Sequence, residues 1–196
     1  MRPKDQGKLD AIIASSIELV TKEGISNVST HKIAKKANVS PATLYIYFKN
    51  KNDLLEKIYL QIRNEISKGT LNKINNIPED DIEQKFKNIW QNSFQYNLTH
   101  PEYLDYREKF EQTVLYKNVM TQETELQKFI VKLLLRGIEK KIIKDLPIPM
   151  LVGFAFTPIV TFLKLHLSKV FLFEEANLKQ AIEIAWDSIS INQNDK

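Results

Sequence analysis

The sequence predicts an all-α fold of about nine helices, with an N-terminal three-helix helix–turn–helix domain over residues 1–51 and a C-terminal helical domain over residues 52–196. Three observations lead there. Apolar residues recur at helical spacing through almost the whole chain, and no run alternates in the two-residue period of a half-buried strand. The boundaries between these stretches fall at Ser, Thr, Asn, Gly and Pro, the residues that start and stop helices. With 196 residues and 43% hydrophobic content, the chain can bury a real core without disulfides, and it has no cysteine.

The first helix is expected over Lys8–Glu23, where Leu9, Ile12, Ile13, Ser16, Ile17 and Val20 form one stripe and Gly24 supplies the C-cap. Ile25 and Val28 read as core plugs in the link that follows. Ser29 or Thr30 caps a second helix with a small apolar face of Ile33, Ala34 and Ala37. Asn38 tolerates the left-handed backbone needed to leave it, and Val39 plugs the turn. Ser40-Pro41 then restarts the chain as N-cap and first helical residue. The third helix, Pro41 to about Phe48, is too short to stand alone. Leu44 and Phe48 pack it down, which leaves Ala42, Thr43, Tyr45 and Tyr47 facing outward.

Asn50 caps a fourth helix running to about Lys68 through Leu54, Leu55, Ile58, Ile62 and Ile66, and Gly69–Pro78 reads as a polar link. Pro78 to about Leu98 is a long helix with acids in its first turn and an inward stripe of Phe86, Ile89, Trp90, Ser93, Phe94 and Asn97. Pro101–Thr113 is shorter. Thr121–Ile143 is long again, with Leu126, Phe129, Ile130, Leu133, Leu134 and Ile138 on one side. Leu146-Pro147-Ile148-Pro149 forces a turn. Met150–Phe171 is very apolar and is expected to kink at Pro158. The last helix is striped by Leu178, Ala181, Ile182, Ala185, Trp186 and Ile189, and Asn192–Lys196 is expected to fray.

The stretch IAKKANVSPATLYIYFKNKNDLL resembles the signature of the TetR family of transcriptional regulators, and the resemblance covers about residues 8–60. Asn38 departs from the usual Gly but supplies the same positive φ. The resemblance implies a DNA-binding homodimer, with dimerisation through the last two long helices and an effector pocket in the C-terminal domain. It also implies two recognition helices in successive major grooves of a pseudo-palindromic double-stranded operator, about 34–36 Å apart. Carried over position by position, Thr30 and Ser40 would donate to phosphates, as would the Tyr45 and Tyr47 hydroxyls, and Lys51 would add a charge contact. Pro41, Ala42 and Thr43 would face base edges, with Ala42 and Thr43 suited to thymine methyls. Ile46 stands where many members carry a polar aromatic residue. No Arg, Asn or Gln lies on this face, so DNA shape is expected to carry part of the specificity.

Charge agrees with this placement. Residues 1–51 hold nine Lys and Arg against four Asp and Glu, net +5, whereas residues 52–196 are close to neutral. In the C-terminal domain Trp90, Phe94, Tyr103, Tyr106, Phe110 and Phe154, with Thr157 and Thr161, have the make-up of a pocket for a small, mostly apolar effector. For any single one of these aromatics core packing is the first reading, and only the set points to a pocket. His166 would add a polar tip, and Arg107 would pair with an acidic ligand group or form a surface ion pair.

Enzyme chemistry finds no support. The three histidines are far apart without metal spacing, and no phosphate-cradling Gly-rich loop or catalytic signature occurs. No cofactor is expected. The N-terminus is charged rather than apolar, and the apolar stretch 147–163 is short and broken, so the reading is cytoplasmic with no membrane partner. The expected function is a transcriptional repressor released by a small molecule. The alternatives are a DNA-binding protein of the same fold without an effector, serving chromosome organisation, and a helical ligand carrier or enzyme.

Overall fold

The computed structural model describes residues 5–72, 74, 77–78 and 80–191. Arg2 and Lys4, expected near phosphate, and the expected tail Asn192–Lys196 lie outside these residues. Among the described residues there are ten α-helices, two 3-10 turns and no strand. The chain divides into two compact units, Met1–Asn64 with His100–Gln122, and Glu65–Thr99 with Glu123–Lys196. This division differs from the boundary expected after residue 51, because a helix from the middle of the sequence packs with the N-terminal helices.

The first unit contains α1 (Gln6–Glu23), α2 (Thr30–Lys36), α3 (Pro41–Tyr47), the start of α4 (Lys51–Leu71) and α6 (Pro101–Glu111). Helix α1 starts two residues earlier than its apolar stripe suggests, because the Asp5 carboxylate accepts from the Lys8 N–H at 3.3 Å and caps it. Its core side is Ile12, Ser16 and Val20, all fully buried. Helix α6 is fastened by two phenols. Tyr106 is buried and donates to the Leu55 carbonyl at 3.0 Å. Tyr59 stacks on Phe110 with centroids 4.5 Å apart and donates to Glu111 Oε1 at 2.9 Å. Burial pushes both phenols well above their ordinary pKa, so they remain donors.

The second unit contains the end of α4, α5 (Ile82–Thr99), α7 (Glu125–Glu139), α8 (Ile148–Ala155), α9 (Pro158–Leu167) and α10 (Glu175–Ile189). Helix α5 is its centre and packs on α7, α9 and α10. Phe86, Ile89, Trp90 and Phe94 are buried there, as their spacing predicts. The expected long helix Met150–Phe171 is two helices rather than one kinked helix. Pro158 has no N–H to donate, so α9 begins at it. The break turns the Ile159 N–H to the Phe156 carbonyl at 3.2 Å and releases the Ala155 carbonyl. Trp90 Nε1–H satisfies that carbonyl at 2.9 Å.

One glycine corrects an expected boundary, and a second is held small by packing. Gly69 does not end α4, which continues to Leu71; the Tyr96 ring lies against its Cα, where a Cβ would collide. Gly137 is held small in the same way by Ile143. Helix α7 starts at Glu125 rather than near Thr121, because Thr124 and Gln127 form a reciprocal capping box. It ends at Glu139, and Lys141 takes a positive φ of 55° to close the turn.

Candidate nucleic-acid interface and ligand residues

Helices α2 and α3 have seven residues each and are held by caps and core contacts rather than by length. The Ser29 hydroxyl accepts from the Lys32 N–H at 3.2 Å, so Ser29 and not Thr30 is the cap of α2. Asn38 adopts φ 53°, which turns the chain while the Val39 N–H bonds the Ala34 carbonyl at 3.0 Å. The Ser40 hydroxyl accepts from the Thr43 N–H at 3.1 Å, and Pro41 opens α3. Fully buried Leu44, with Phe48 just beyond the helix, anchors α3.

The outward face of α3 carries Pro41, Ala42, Tyr45 and Ile46, all exposed, with Tyr45 at 53% and Ile46 at 61%. Thr43 and Tyr47 are half-buried. Two side-chain contacts fix this face. The hydroxyls of Thr30 and Tyr45 lie 3.2 Å apart and join α2 to α3, and those of Ser40 and Thr43 lie 2.9 Å apart. Tyr47 is tied to the start of α1: its hydroxyl donates to the Asp5 carbonyl at 2.9 Å and accepts from the Asp5 N–H at 3.0 Å. This tether spans 42 positions, and nothing in the local pattern signals it. Lys51 Nζ donates to the Ile25 carbonyl at 2.8 Å, and burial lowers its pKa. Of the residues expected at the interface, Pro41, Ala42, Thr43 and Tyr45 with its partner Thr30 lie together. Ser40 accepts its capping bond and shares a hydroxyl contact with Thr43, while Tyr47 and Lys51 have intramolecular bonds to give up or share.

The flanking charges are mostly balanced. Lys22 and Lys36 lie 2.8 Å and 2.9 Å from Glu18 and hold its carboxyl down at about 2 through these bonds. Lys32 pairs with Glu23 at 2.7 Å. Lys35 on the exposed side of α2 has no ion pair among the described residues and was not singled out from the sequence. The ensemble offers methyl groups, hydroxyls and phenols on a short, rigid helix with lysines beside it. Such a surface can enter a major groove and meet phosphates on both sides.

The eight expected ligand residues divide between the units. Tyr103, Tyr106 and Phe110 belong to the first, where Tyr106 and Phe110 fill the core. Trp90 and Phe94 belong to the second, where their rings stack with centroids 6.1 Å apart. Around them lie Phe162 at 6.1 Å from Trp90, Phe173 at 5.8 Å from Phe94, and His166 edge-on to Phe94 at 6.2 Å. Phe154, Thr157 and Thr161 do not join this cluster. They lie exposed along α8 and α9, Phe154 at 61%. Arg107 pairs with Glu111 at 3.5 Å within the first unit. Phe173, expected only as part of a turn, is the residue that spacing did not reveal. No group of three or more metal-ligating side chains occurs among the described residues.

Residues 12–58 match the bacterial regulatory proteins of the tetR family, and residues 81–190 match the tetracyclin repressor-like C-terminal domain. The chain belongs to the TetR family. An uncharacterized HTH-type transcriptional regulator of Haemophilus influenzae is 29% identical over 119 residues, 61% of this chain and 63% of that protein. The match therefore spans less than two thirds of that relative. The crystal structure of a TetR family transcription regulator from Marinobacter aquaeolei VT8 aligns over 98% of this chain and 100% of its own, with 26% identity and a TM-score of 0.85. The fold is also that of the transcriptional regulator FadR from Bacillus subtilis in complex with stearoyl-CoA, at 19% identity and a TM-score of 0.73, over 92% of this chain and 99% of that one.

Within the second unit of this TetR-family chain, Met150, Gly153, Phe154, Thr157 and Thr161 make an exposed stripe at helical spacing. Ile184 on α10, which packs on α8, is 69% exposed. Residues 148–167 are long and apolar enough by composition to cross a bilayer. They form helices of 8 and 10 residues, each about half the length a span needs.

Proposed function

We propose that this chain is a homodimeric, DNA-binding transcriptional repressor that a mostly apolar small molecule releases from its operator. The observation that carries the reading is the outward face of α3, rigid, uncharged and flanked by lysines. Thr30, Ser40, Tyr45, Tyr47 and Lys51 are assigned to phosphates, and Pro41, Ala42 and Thr43 to base edges, on a pseudo-palindromic site. Direct readout is limited to methyl and hydroxyl contacts, so the deformability of the operator supplies the rest. The boundary between functions falls after residue 51, and the protein acts in solution in the cytoplasm.

The exposed stripe of α8, α9 and α10 is assigned to the dimer interface, because a monomer would leave Phe154 and Ile184 in water. The effector is assigned to the second unit at the Trp90–Phe94 cluster. That FadR is a TetR-fold regulator bound to stearoyl-CoA supports an effector with a long acyl chain. Helix α4 contributes to both compact units and is the element through which such a ligand would bias the recognition helix. Ligand and operator then weaken each other equally, typically by about 1–3 kcal/mol.

The test is selection of genomic DNA fragments by the purified protein, followed by competition with stearoyl-CoA. Ala42→Glu places a carboxylate on the groove-facing surface at an exposed position and should abolish fragment recovery without altering the unfolding midpoint. Equal recovery by this variant and the wild type would remove α3 from the interface and overturn the reading.

A further inference from the structure

We propose that the cleft between α1, α4 and α6 in the first unit is a binding site for a small organic cation, an ammonium group carried on a hydrocarbon body. The cleft has a volume of about 420 Å³, within the range of small-molecule sites. It does not depend on the effector assigned to the second unit. Its floor is Ile13, Ala14 and Ile17, aliphatic residues of α1 that flank the core stripe of Ile12, Ser16 and Val20. Gln61 from α4 and Tyr103 from α6 line it as well.

The rim decides the chemistry. Three carboxylates line the cleft, Asp10, Glu18 and Glu102, and no basic side chain does. Glu18 is already neutralised by Lys22 and Lys36. Asp10 receives only the uncharged Gln6 amide, at 2.8 Å. Glu102 is exposed and has no ion pair or hydrogen bond among the described residues. Two carboxylates without a counter-charge thus border an aliphatic floor in the more basic part of the chain. An anion would be repelled. A neutral apolar ligand would cover the carboxylates and strip their water without replacing it. A cation on an apolar body satisfies both surfaces, and the Tyr103 ring adds a face suited to an ammonium. Nucleic acid is excluded by sign. The Glu18–Lys36 pair joins the cleft wall to α2, so occupancy would be felt by the helix that supports α3.

The experiment is calorimetric titration of the full chain with hexylammonium, with hexanol and hexanoate as matched probes, and with a lysine tetrapeptide. Hexylammonium should bind once per chain, and hexanol and hexanoate at least about tenfold more weakly, because hydrogen bonds to a charged group are worth about that factor. Glu102→Gln should weaken hexylammonium about tenfold. Ala14→Phe, at an exposed helical position, should block it. Glu125→Gln, the same charge change in the second unit, should leave it unchanged. Equal binding of the three six-carbon probes, no effect of Glu102→Gln, or no heat at millimolar hexylammonium overturns the proposal. Tighter binding of the peptide than of hexylammonium also overturns it, since the cleft would then receive a basic protein segment.

Discussion

Replacing Gly69 with Ala should reverse the usual effect of that substitution. In a helix interior, Gly→Ala ordinarily stabilises by up to about 1 kcal/mol. Gly69 lies within the last turn of α4, so its share of that gain is smaller. A Cβ at this position would run into the Tyr96 ring, and neither α4 nor α5 can shift without disturbing buried Ile66 and Thr70 on one side and Asn92 and Asn97 on the other. Overpacking of this kind costs about 1–3 kcal/mol. The net expectation is a loss of roughly 0–3 kcal/mol from these two opposed effects. The ring can be removed independently. In a Tyr96→Ala background, Gly69→Ala should stabilise by a few tenths to about 1 kcal/mol, so the cycle should show a coupling of about 1–3 kcal/mol. Urea unfolding of the four proteins, with unchanged slopes, measures it. If Gly69→Ala stabilises equally with and without the Tyr96 ring, the packing of α4 on α5 described above is wrong.

Other outcomes follow from single contacts. Ser40→Ala should cost about 0.5–2 kcal/mol through the lost cap of α3, read as a lower unfolding midpoint. Trp90→Phe removes the indole N–H that satisfies the Ala155 carbonyl and leaves a small cavity at a fully buried site, and should cost at least about 1–3 kcal/mol in urea unfolding. Phe154→Asp should yield a monomer near 22.8 kDa by sedimentation, whereas the parent should sediment at twice that mass. Glu18 is depressed from 4.5 to about 2, so its contribution is fully present above pH 4.5 and is lost as pH falls towards 2; Glu18→Gln should flatten the stability–pH curve in that window.

Much of the helix–turn–helix was legible because its determinants are local. Ser40-Pro41, the left-handed Asn38 and the Leu44/Phe48 anchor each act within a few residues, and spacing reports them directly. What depended on distant partners was not legible. Gly69 resembles a helix stop until Tyr96 is placed against it, and Tyr47 resembles a free phosphate donor until Asp5 is found under it. The break at Pro158 was legible as a disturbance, but its depth was not, since Trp90 supplies the donor that allows two helices instead of one. Apolarity also does not distinguish core from interface: Tyr106 and Phe154 looked alike in sequence, yet one is fully buried and the other largely exposed. Thr124 and Gln127, by contrast, spell a capping box in the local sequence, three residues beyond the start expected near Thr121.

Salt-dependent operator binding tests the central claim most directly, that α3 and its flanking lysines meet DNA as a pair. Affinity for a selected operator should be measured from about 50 to 200 mM salt for the wild type, Lys35→Ala and Tyr45→Ala. The account predicts a linear fall of log affinity with log salt, two chains per site, and half-sites about one helical turn apart. Lys35→Ala should reduce the slope by about one unit with stability unchanged, and Tyr45→Ala should weaken binding at every salt concentration. Affinity that is independent of salt, or unaffected by either substitution, would contradict it.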